Sequence, residues 1–296
     1  MSESGGLAPR CLVRRQLRPP PPRSGSCHAA LVAVVEVPGH EALLVGIRAD
    51  NPGPFTLTGT NSWIVDRDPA WLIDPGPTLA DHLDALEDEL GRRGGLGGIA
   101  LTHDHTDHAE ALPTMRDRFP GVAVAGARGQ PVELADGSRF GPLEALRTPG
   151  HAPDHLAFVL AEIGFTGDAV LGDGSVFIMP DPGALAGYLD GLARLRALGL
   201  SVLCPGHGPV VVGREAVREK LDGYIAHRLE RERSLLAALD AGLRGIDELL
   251  DAAWEDAPQV LRPAAAATLA AHLDKLADEG RLPAGVERPR LTLAGA

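Results

Sequence analysis

The sequence predicts an α/β layered protein whose chemistry lies at the ends of its strands. Short apolar runs that read as strands alternate with stretches whose leucines recur at helical spacing. Four groups of histidine and aspartate stand in tight turns, each directly after one of those runs. The densest is HxHxDH at His103–His108, a spacing expected by chance on the order of once in a thousand chains of this composition.

With 296 residues the chain suits one medium domain plus a small appendage. Its hydrophobic fraction is 44% and its mean hydropathy is near zero, the profile of a soluble globular protein, and no apolar run reaches the length of a membrane span. Cys11, Cys27 and Cys204 are odd in number and lack Cys-x-x-Cys spacing, so neither a disulfide framework nor a thiolate zinc site is expected, and a reducing cytoplasm fits. Charge is uneven. Residues 1–28 hold Arg10, Arg14, Arg15, Arg18 and Arg23 against Glu3, a net +4, so the total of −12 leaves −16 on the rest. That body offers no general field for polyanions.

Residues 1–28, rich in Arg and Pro, read as a disordered tail, Pro19–Pro22 being unable to join a helix. A basic arm for RNA is the competing reading. Arg14-Arg15 does not make a twin-arginine leader, because prolines follow where an apolar stretch should stand. Leu31–Val37 and Ala42–Ile47 then form a hairpin across Pro38-Gly39-His40-Glu41, and a loop follows from Asn51 to Asn61. Ser62–Asp66 pairs with Ala70–Asp74. Asp74, at a strand end, is either a turn cap or a carboxylate that orients a metal-bound histidine. Leu79, Leu83, Leu86 and Leu90 mark one buried face of a helix from Thr78 to Arg92, with His82 expected to face water.

Gly97–Leu101 is a short buried strand and Ala109–Leu112 begins a helix, so His103–His108 occupies a strand-to-helix loop held by rigid neighbours. A further helical stretch ends near Phe119-Pro120-Gly121, and Val122–Ala125 is another strand. Downstream, Thr148-Pro149-Gly150-His151, Phe165-Thr166-Gly167-Asp168 and Cys204-Pro205-Gly206-His207 each present one candidate ligand in a glycine turn. A two-metal site needs about seven or eight ligand bonds, and HxHxDH supplies four, so these turns complete the count. His155 reads as structural or as support for a ligand, Asp154 as a turn residue, and Cys204 as a buried inert thiol.

From about Ala42 to Val212, the order HxHxDH, His, Asp, His resembles the metallo-β-lactamase fold superfamily. The resemblance implies a four-layer αββα sandwich with a dinuclear site at one edge. It assigns His103, His105 and His151 to one metal, Asp107, His108 and His207 to the other, and Asp168 to both, with Asp107 and Asp168 as the catalytic carboxylates. Imidazole and carboxylate ligands without thiolate suit two Zn²⁺ ions, with Mn²⁺ or Fe as alternatives. True β-lactamases place Cys or Ser where Asp168 stands, so the resemblance points away from antibiotics, toward phosphodiesters or thioesters.

Leu185, Leu189, Leu192 and Leu195 mark a helix, and a longer one runs from Glu215 to Leu239. Two short helices, from Gly245 and over Pro263–Ala277, precede Arg281-Leu282-Pro283 and Val286–Leu293, which suits a winged-helix unit. The expected organisation is a tail (1–28), the metal-binding domain (29–213), a linker helix (214–242) and a winged-helix-like domain (243–296). With Pro-Gly-His-Gly-Pro at 205–209 and Tyr-Ile-x-His-Arg at 224–228, the whole is similar to the β-lactamase-like protein 2 group.

That similarity implies a metal-dependent endoribonuclease acting on single-stranded RNA; His227, Arg228 and Arg231, at neighbouring helical positions, are either its phosphate contacts or a solvated helix face. The acidic balance after Ala241 argues against DNA reading and suits a packing or lid domain. Competing functions are a thioester hydrolase resembling glyoxalase II, a mononuclear iron oxygenase resembling persulfide dioxygenases, and a non-catalytic nucleic-acid-binding protein. The substrate is thus a small molecule or single-stranded RNA, with no membrane partner expected.

Overall fold

The computed structural model describes residues 33–289, so the expected basic tail and the end of the expected wing lie outside the described residues. The chain opens with four antiparallel-paired strands, β1 (Ala33–Val35), β2 (Leu44–Arg48), β3 (Asn61–Val65) and β4 (Ala70–Ile73). Helix α1 (Ala80–Arg92), β5 (Leu96–Ala100), α2 (Thr106–Ala109), α3 (Leu112–Arg118), β6 (Ala123–Gly126) and β7 (Val132–Glu133) follow. β4 to β7 pair in parallel and complete a seven-stranded sheet in sequence order.

The second sheet has six strands. It uses β8 (Arg139–Phe140), β9 (Leu143–Arg147), β10 (Leu156–Leu160), β11 (Ile163–Gly167), β12 (Val202–Pro205) and β13 (Val211–Val212), with α4 (Ala184–Ala197) crossing between the parallel pair β11 and β12.

Period-two burial places the two sheets face to face. Trp63, Val65 and Ile73 of the first sheet meet Leu156, Phe158, Phe165, Val202 and Cys204 of the second in one core. The alternate residues look outward. Ile64, Leu72 and Ile99 pack under Leu83, Leu86 and Leu90 of α1, while Ala157 and Leu203 pack under Leu185, Leu192 and Leu195 of α4. The result is the four-layer αββα sandwich. Each buried leucine of α1 contributes about 1.5–3 kcal/mol of apolar burial, enough to fix the helix by one face.

Helix α5 (Arg214–Asp240) belongs to two cores. Val217, Leu221 and Tyr224 join the outer face of the second sheet, whereas Leu235, Ala238 and Leu239 pack against α6 (Ile246–Ala253) and α7 (Arg262–Asp278). Glu248 accepts the Gly245 N–H at the start of α6, and Pro263 stands in the first turn of α7, where its missing N–H costs nothing. These helices form the winged-helix unit. The expected wing strands are absent among the described residues, and 281–289 runs as irregular chain. No helix of the described residues is long and apolar enough to cross a membrane.

One expectation about α1 is corrected. His82 does not face water but is buried, its Nε2 3.1 Å from both the Ser62 hydroxyl and the Pro75 carbonyl. It adjoins the leucine stripe, and the turn at Pro75-Gly76 folds over that edge of the helix. Burial pushes its pKa down to about 4.

Candidate metal centre

The parallel pairs β4–β5 and β11–β12 end on the same edge of the sandwich, and so does β9. Their following turns deliver Asp74, His103–His108, Asp168, His207 and His151 to one place. The seam between the sheets is stitched there. The Asn61 N–H donates to Gly206 O at 2.7 Å, the Asn61 amide to Pro205 O and Gly208 O, and the Trp63 indole to Pro205 O.

Donor atoms converge in three overlapping groups, each within 4.8 Å: His103, His105 and His151; His103, His108 and Asp168; Asp107, His108 and His207. Asp168 spans the cluster. Its Oδ1 lies 3.4 Å from Nε2 of both His108 and His207, and its Oδ2 lies 3.5 Å from His151 Nε2. All seven residues expected as ligands are thus brought together.

The far nitrogens of four imidazoles decide what the near ones can do. His108 Nδ1–H donates to Asp74 Oδ2 at 2.9 Å, His207 Nδ1–H to Gly59 O at 3.3 Å and His151 Nδ1–H to Phe177 O at 3.4 Å. The Thr102 hydroxyl donates to Asp74 Oδ2 at 2.7 Å and so accepts from His103 Nδ1–H at 3.0 Å. Each Nε2 is thereby turned toward the others, with a lone pair that a metal ion, or on His108 and His207 a second proton, can take. His108 Nε2 and His207 Nε2 stand 3.2 Å apart with both protons already committed elsewhere. His103 Nε2 and Asp168 Oδ1 are buried with no hydrogen-bond partner. Donors packed this closely beside Asp107 and Asp168 suit a cation among them. Ligands on a tetrahedral ion with bonds of about 2.0–2.1 Å lie about 3.3 Å apart, so the residues fit a metal.

Electrostatics agree. Burial pushes His151 down to about 4 and His103 well below its ordinary value, keeping both as neutral donors. Burial also works against charge on His108 and His207, but Asp168, with Asp74 beside His108 and Asp107 beside His207, outweighs it. His108 is held well above its ordinary value and His207 at about 9. Asp107, despite burial, falls to about 2 through His207 and His108. Carboxylates that favour protonated imidazoles favour a divalent cation in the same place.

Two glycines make room for this cluster. A Cβ on Gly206 would stand 2.7 Å from both Asp168 Oδ1 and His108 Cε1, and Gly167, at φ +45°, would put one 2.6 Å from the Thr102 hydroxyl. His155 sits behind them, buried. It donates from Nδ1 to the Thr148 hydroxyl at 2.8 Å, and its Nε2 accepts the Asp168 N–H at 3.1 Å. His155 therefore supports a ligand, and Asp74 orients two.

Of the three substrate contacts expected on α5, His227 is half-buried with its Nδ1 3.4 Å from the Ser175 hydroxyl, while the two arginines are engaged by protein partners. Arg228 is buried, donating to the Ser175 hydroxyl at 2.9 Å and to Val176 O, with its guanidinium over the Tyr188 ring. Arg231 donates to Ala253 O and Asp256 and lies over Trp254, and its Nε is 3.1 Å from His227 Nε2. These groups tie the winged-helix unit to the sandwich because the chain folds α6 and α7 back onto that face of α5. Cys204 is a buried thiol, its pKa raised by burial.

Two residues that the sequence did not single out also touch the cluster. Thr60 donates to Asp107 Oδ2 at 3.3 Å, and the Phe177 ring lies edge-on to His151 at 4.8 Å. Both come from loops without periodicity. Only the scarcity of phenylalanine, six in the whole chain, marks Phe55 and Phe177 as unusual in such loops.

Comparison with known proteins matches residues 55–133 to the family described as "Metallo-beta-lactamase superfamily" and residues 246–283 to the "Beta-lactamase associated winged helix domain". A relative from Caenorhabditis elegans, "Beta-lactamase-like protein 2 homolog", is 31% identical over 255 residues, 79% of this chain and 84% of that protein. An "Atrochrysone carboxyl ACP thioesterase" from Aspergillus chevalieri is 35% identical over 210 residues, 66% of this chain and 65% of that one. Among solved structures, a metallo-β-lactamase family protein from Thermus thermophilus superposes with a TM-score of 0.65 at 25% identity, covering 80% of this chain and 94% of that one.

Proposed function

The chain belongs to the metallo-β-lactamase superfamily, in the group that carries the associated winged helix, and from that premise we propose that this hydrolase cleaves thioesters with two divalent metal ions. The observation that carries the thioester reading is at the mouth of the site. Apolar Phe177 packs against His151 and Phe55 against Phe177, while the guanidinium groups of Arg228 and Arg231 are held by protein partners. The relative named as an acyl-carrier-protein thioesterase supports the same substrate class.

His103, His105 and His151 would hold one ion and Asp107, His108 and His207 the other, with one oxygen of Asp168 toward each group. Zn²⁺ is the first expectation for these donors, with Mn²⁺ or Fe as alternatives. Bound ions supply Lewis-acid stabilisation of the developing negative charge and lower the pKa of the attacking water. Asp107 is the more exposed of the two carboxylates and faces the opening. It takes the proton as the water oxygen bonds to the acyl carbon and the carbon–sulfur bond breaks, and that proton passes to the leaving sulfur. Asp168, fixed by His155, holds the two halves of the site in register.

Cleavage of single-stranded RNA is the second reading. It is favoured by the carboxylate at 168, whose two oxygens suit a pair of ions clamping a phosphodiester. The deciding experiment measures metal content of protein purified without added metal, then thiol release from acyl-pantetheine and acyl-glutathione beside cleavage of a short single-stranded RNA. Thiol release that is lost in Asp107→Asn supports the proposal. RNA cleavage without thiol release overturns it in favour of the second reading, and duplex-DNA binding without turnover of either substrate overturns both.

A further inference from the structure

Four of the six phenylalanines, Phe119, Phe140, Phe158 and Phe165, are buried in the cores of the sandwich. The other two meet each other beside the metal centre. Phe55 and Phe177 pack edge to face with centroids 5.7 Å apart, and Phe177 in turn packs against the ring of His151 at 4.8 Å. Phe55 remains 53% exposed.

That exposure is built into the backbone. In the loop that carries Phe55, the Thr60 N–H donates to Asn51 Oδ1 at 2.9 Å and the Asn51 amide donates to Thr60 Oγ1 at 3.0 Å. The Thr56 hydroxyl donates to Asn51 O, and the Gly59 N–H to Thr56 O at 2.8 Å. The Gly53 N–H closes the tip by donating to Leu57 O at 3.2 Å, with Leu57 in the left-handed region at φ +54°. Phe177 is pinned as firmly. Its carbonyl accepts from His151, and the next two N–H groups donate to Thr268 Oγ1 and Gly150 O. A large apolar ring held in water on a rigid loop loses little conformational entropy when something covers it, which is the condition for an efficient binding contact.

We infer that Phe55 and Phe177 form a seat for the acyl portion of the substrate, selecting an aryl or extended apolar acyl group over a short one. The seat is continuous with the metal centre through His151, so an acyl carbon placed there leaves its substituent running along Phe177 to Phe55. This rests on the thioester reading above.

The test compares kcat/KM for 2-naphthoyl-pantetheine and acetyl-pantetheine in the metal-loaded wild type, Phe55→Ala and Phe55→Leu. Calorimetric binding of 2-naphthoate and acetate to the same proteins runs alongside. Phe55→Ala is expected to lower the naphthoyl-to-acetyl ratio and the naphthoate affinity each about tenfold, with Phe55→Leu in between. An unchanged ratio and affinity, or equal losses for both acyl groups, overturns the seat. Absence of thiol release from every thioester in the wild type overturns the thioester reading instead, and the naphthoate affinities then decide the seat by themselves. Phe177→Ala, checked for unchanged metal content, is expected to follow Phe55→Ala.

Discussion

Asp74 shows how much of the centre depends on one buried carboxylate. It accepts from His108 directly and reaches His103 through the Thr102 hydroxyl, so it sets the tautomer of one histidine in each proposed metal triad. Its other oxygen takes the Thr102 N–H at 2.8 Å. Replacing Asp74 by Ala frees both imidazoles to rotate and strands a buried N–H, a loss of about 1–3 kcal/mol in stability. Metal affinity, read by competition with a chromophoric chelator, is expected to fall about 10–100-fold. A variant that binds metal as tightly as the wild type would remove the orienting role. At this scale the ligands were legible in the sequence because HxHxDH crowds four donors into six residues. Of the groups that fix them, Asp74 and His155 were legible only as alternatives to structural roles, and the others were not legible. Gly59 O and Phe177 O are backbone carbonyls, which carry no residue identity, and the hydroxyls of Thr102 and Thr148 gain their roles from side-chain directions that only the folded turns set.

Among the elements, α7 carries the least obvious chemistry. Its pattern predicts a helix over Pro263–Ala277, and the structure extends it to Arg262–Asp278, but nothing in that pattern singles out His272. The side chain is fully buried against Trp254, with no hydrogen-bond partner for either ring nitrogen. Glu232, 3.9 Å away, is already engaged by Lys275 at 2.8 Å. Burial, helped by the positive charges of Arg228 and Lys275, pushes His272 down to about 3. A histidine depressed in the folded state contributes stability that is complete above its ordinary value near 6.5 and is lost as pH falls toward the folded value. Between pH 6.5 and 5 that loss is about 2 kcal/mol. His272→Leu is therefore expected to flatten the acid side of the stability profile, measured by urea unfolding at pH 7 and pH 5. Equal slopes in variant and wild type would show that His272 is not the group responsible. The same physics explains His82: helical spacing reports which apolar residues share a face, but not that a turn from elsewhere will cover the polar edge.

Over the whole molecule, the sandwich and the winged-helix unit meet at the site. Thr268 of α7 accepts the Ile178 N–H at 3.1 Å, one residue beyond the Phe177 carbonyl that orients His151. Arg228 and Arg231 add further ties across the same junction. Thr268→Val keeps the shape and removes the acceptor, and is expected to cost about 1–3 kcal/mol and to raise KM more than it lowers kcat. Melting curves and steady-state kinetics check this. A chain ending at Asp240 leaves Leu235 and Leu239 without α6 and α7 to cover them, and is expected to melt earlier and aggregate. If the shortened chain keeps the stability and metal content of the full one, the winged-helix unit is no part of the site's support.

The sequence by itself determined the alternation of strands and helices, the edge at which the site lies and the seven side chains that converge there. Each of those is a local property: an apolar period, a glycine turn, a donor after a strand. Tertiary structure alone decided what surrounds them. It buried His82, turned Arg228 and Arg231 onto protein partners, and placed Phe55 against Phe177 beside His151. Those outcomes depend on which faces meet when two sheets and a trailing helical unit pack together, and spacing along the chain does not encode contacts made across it.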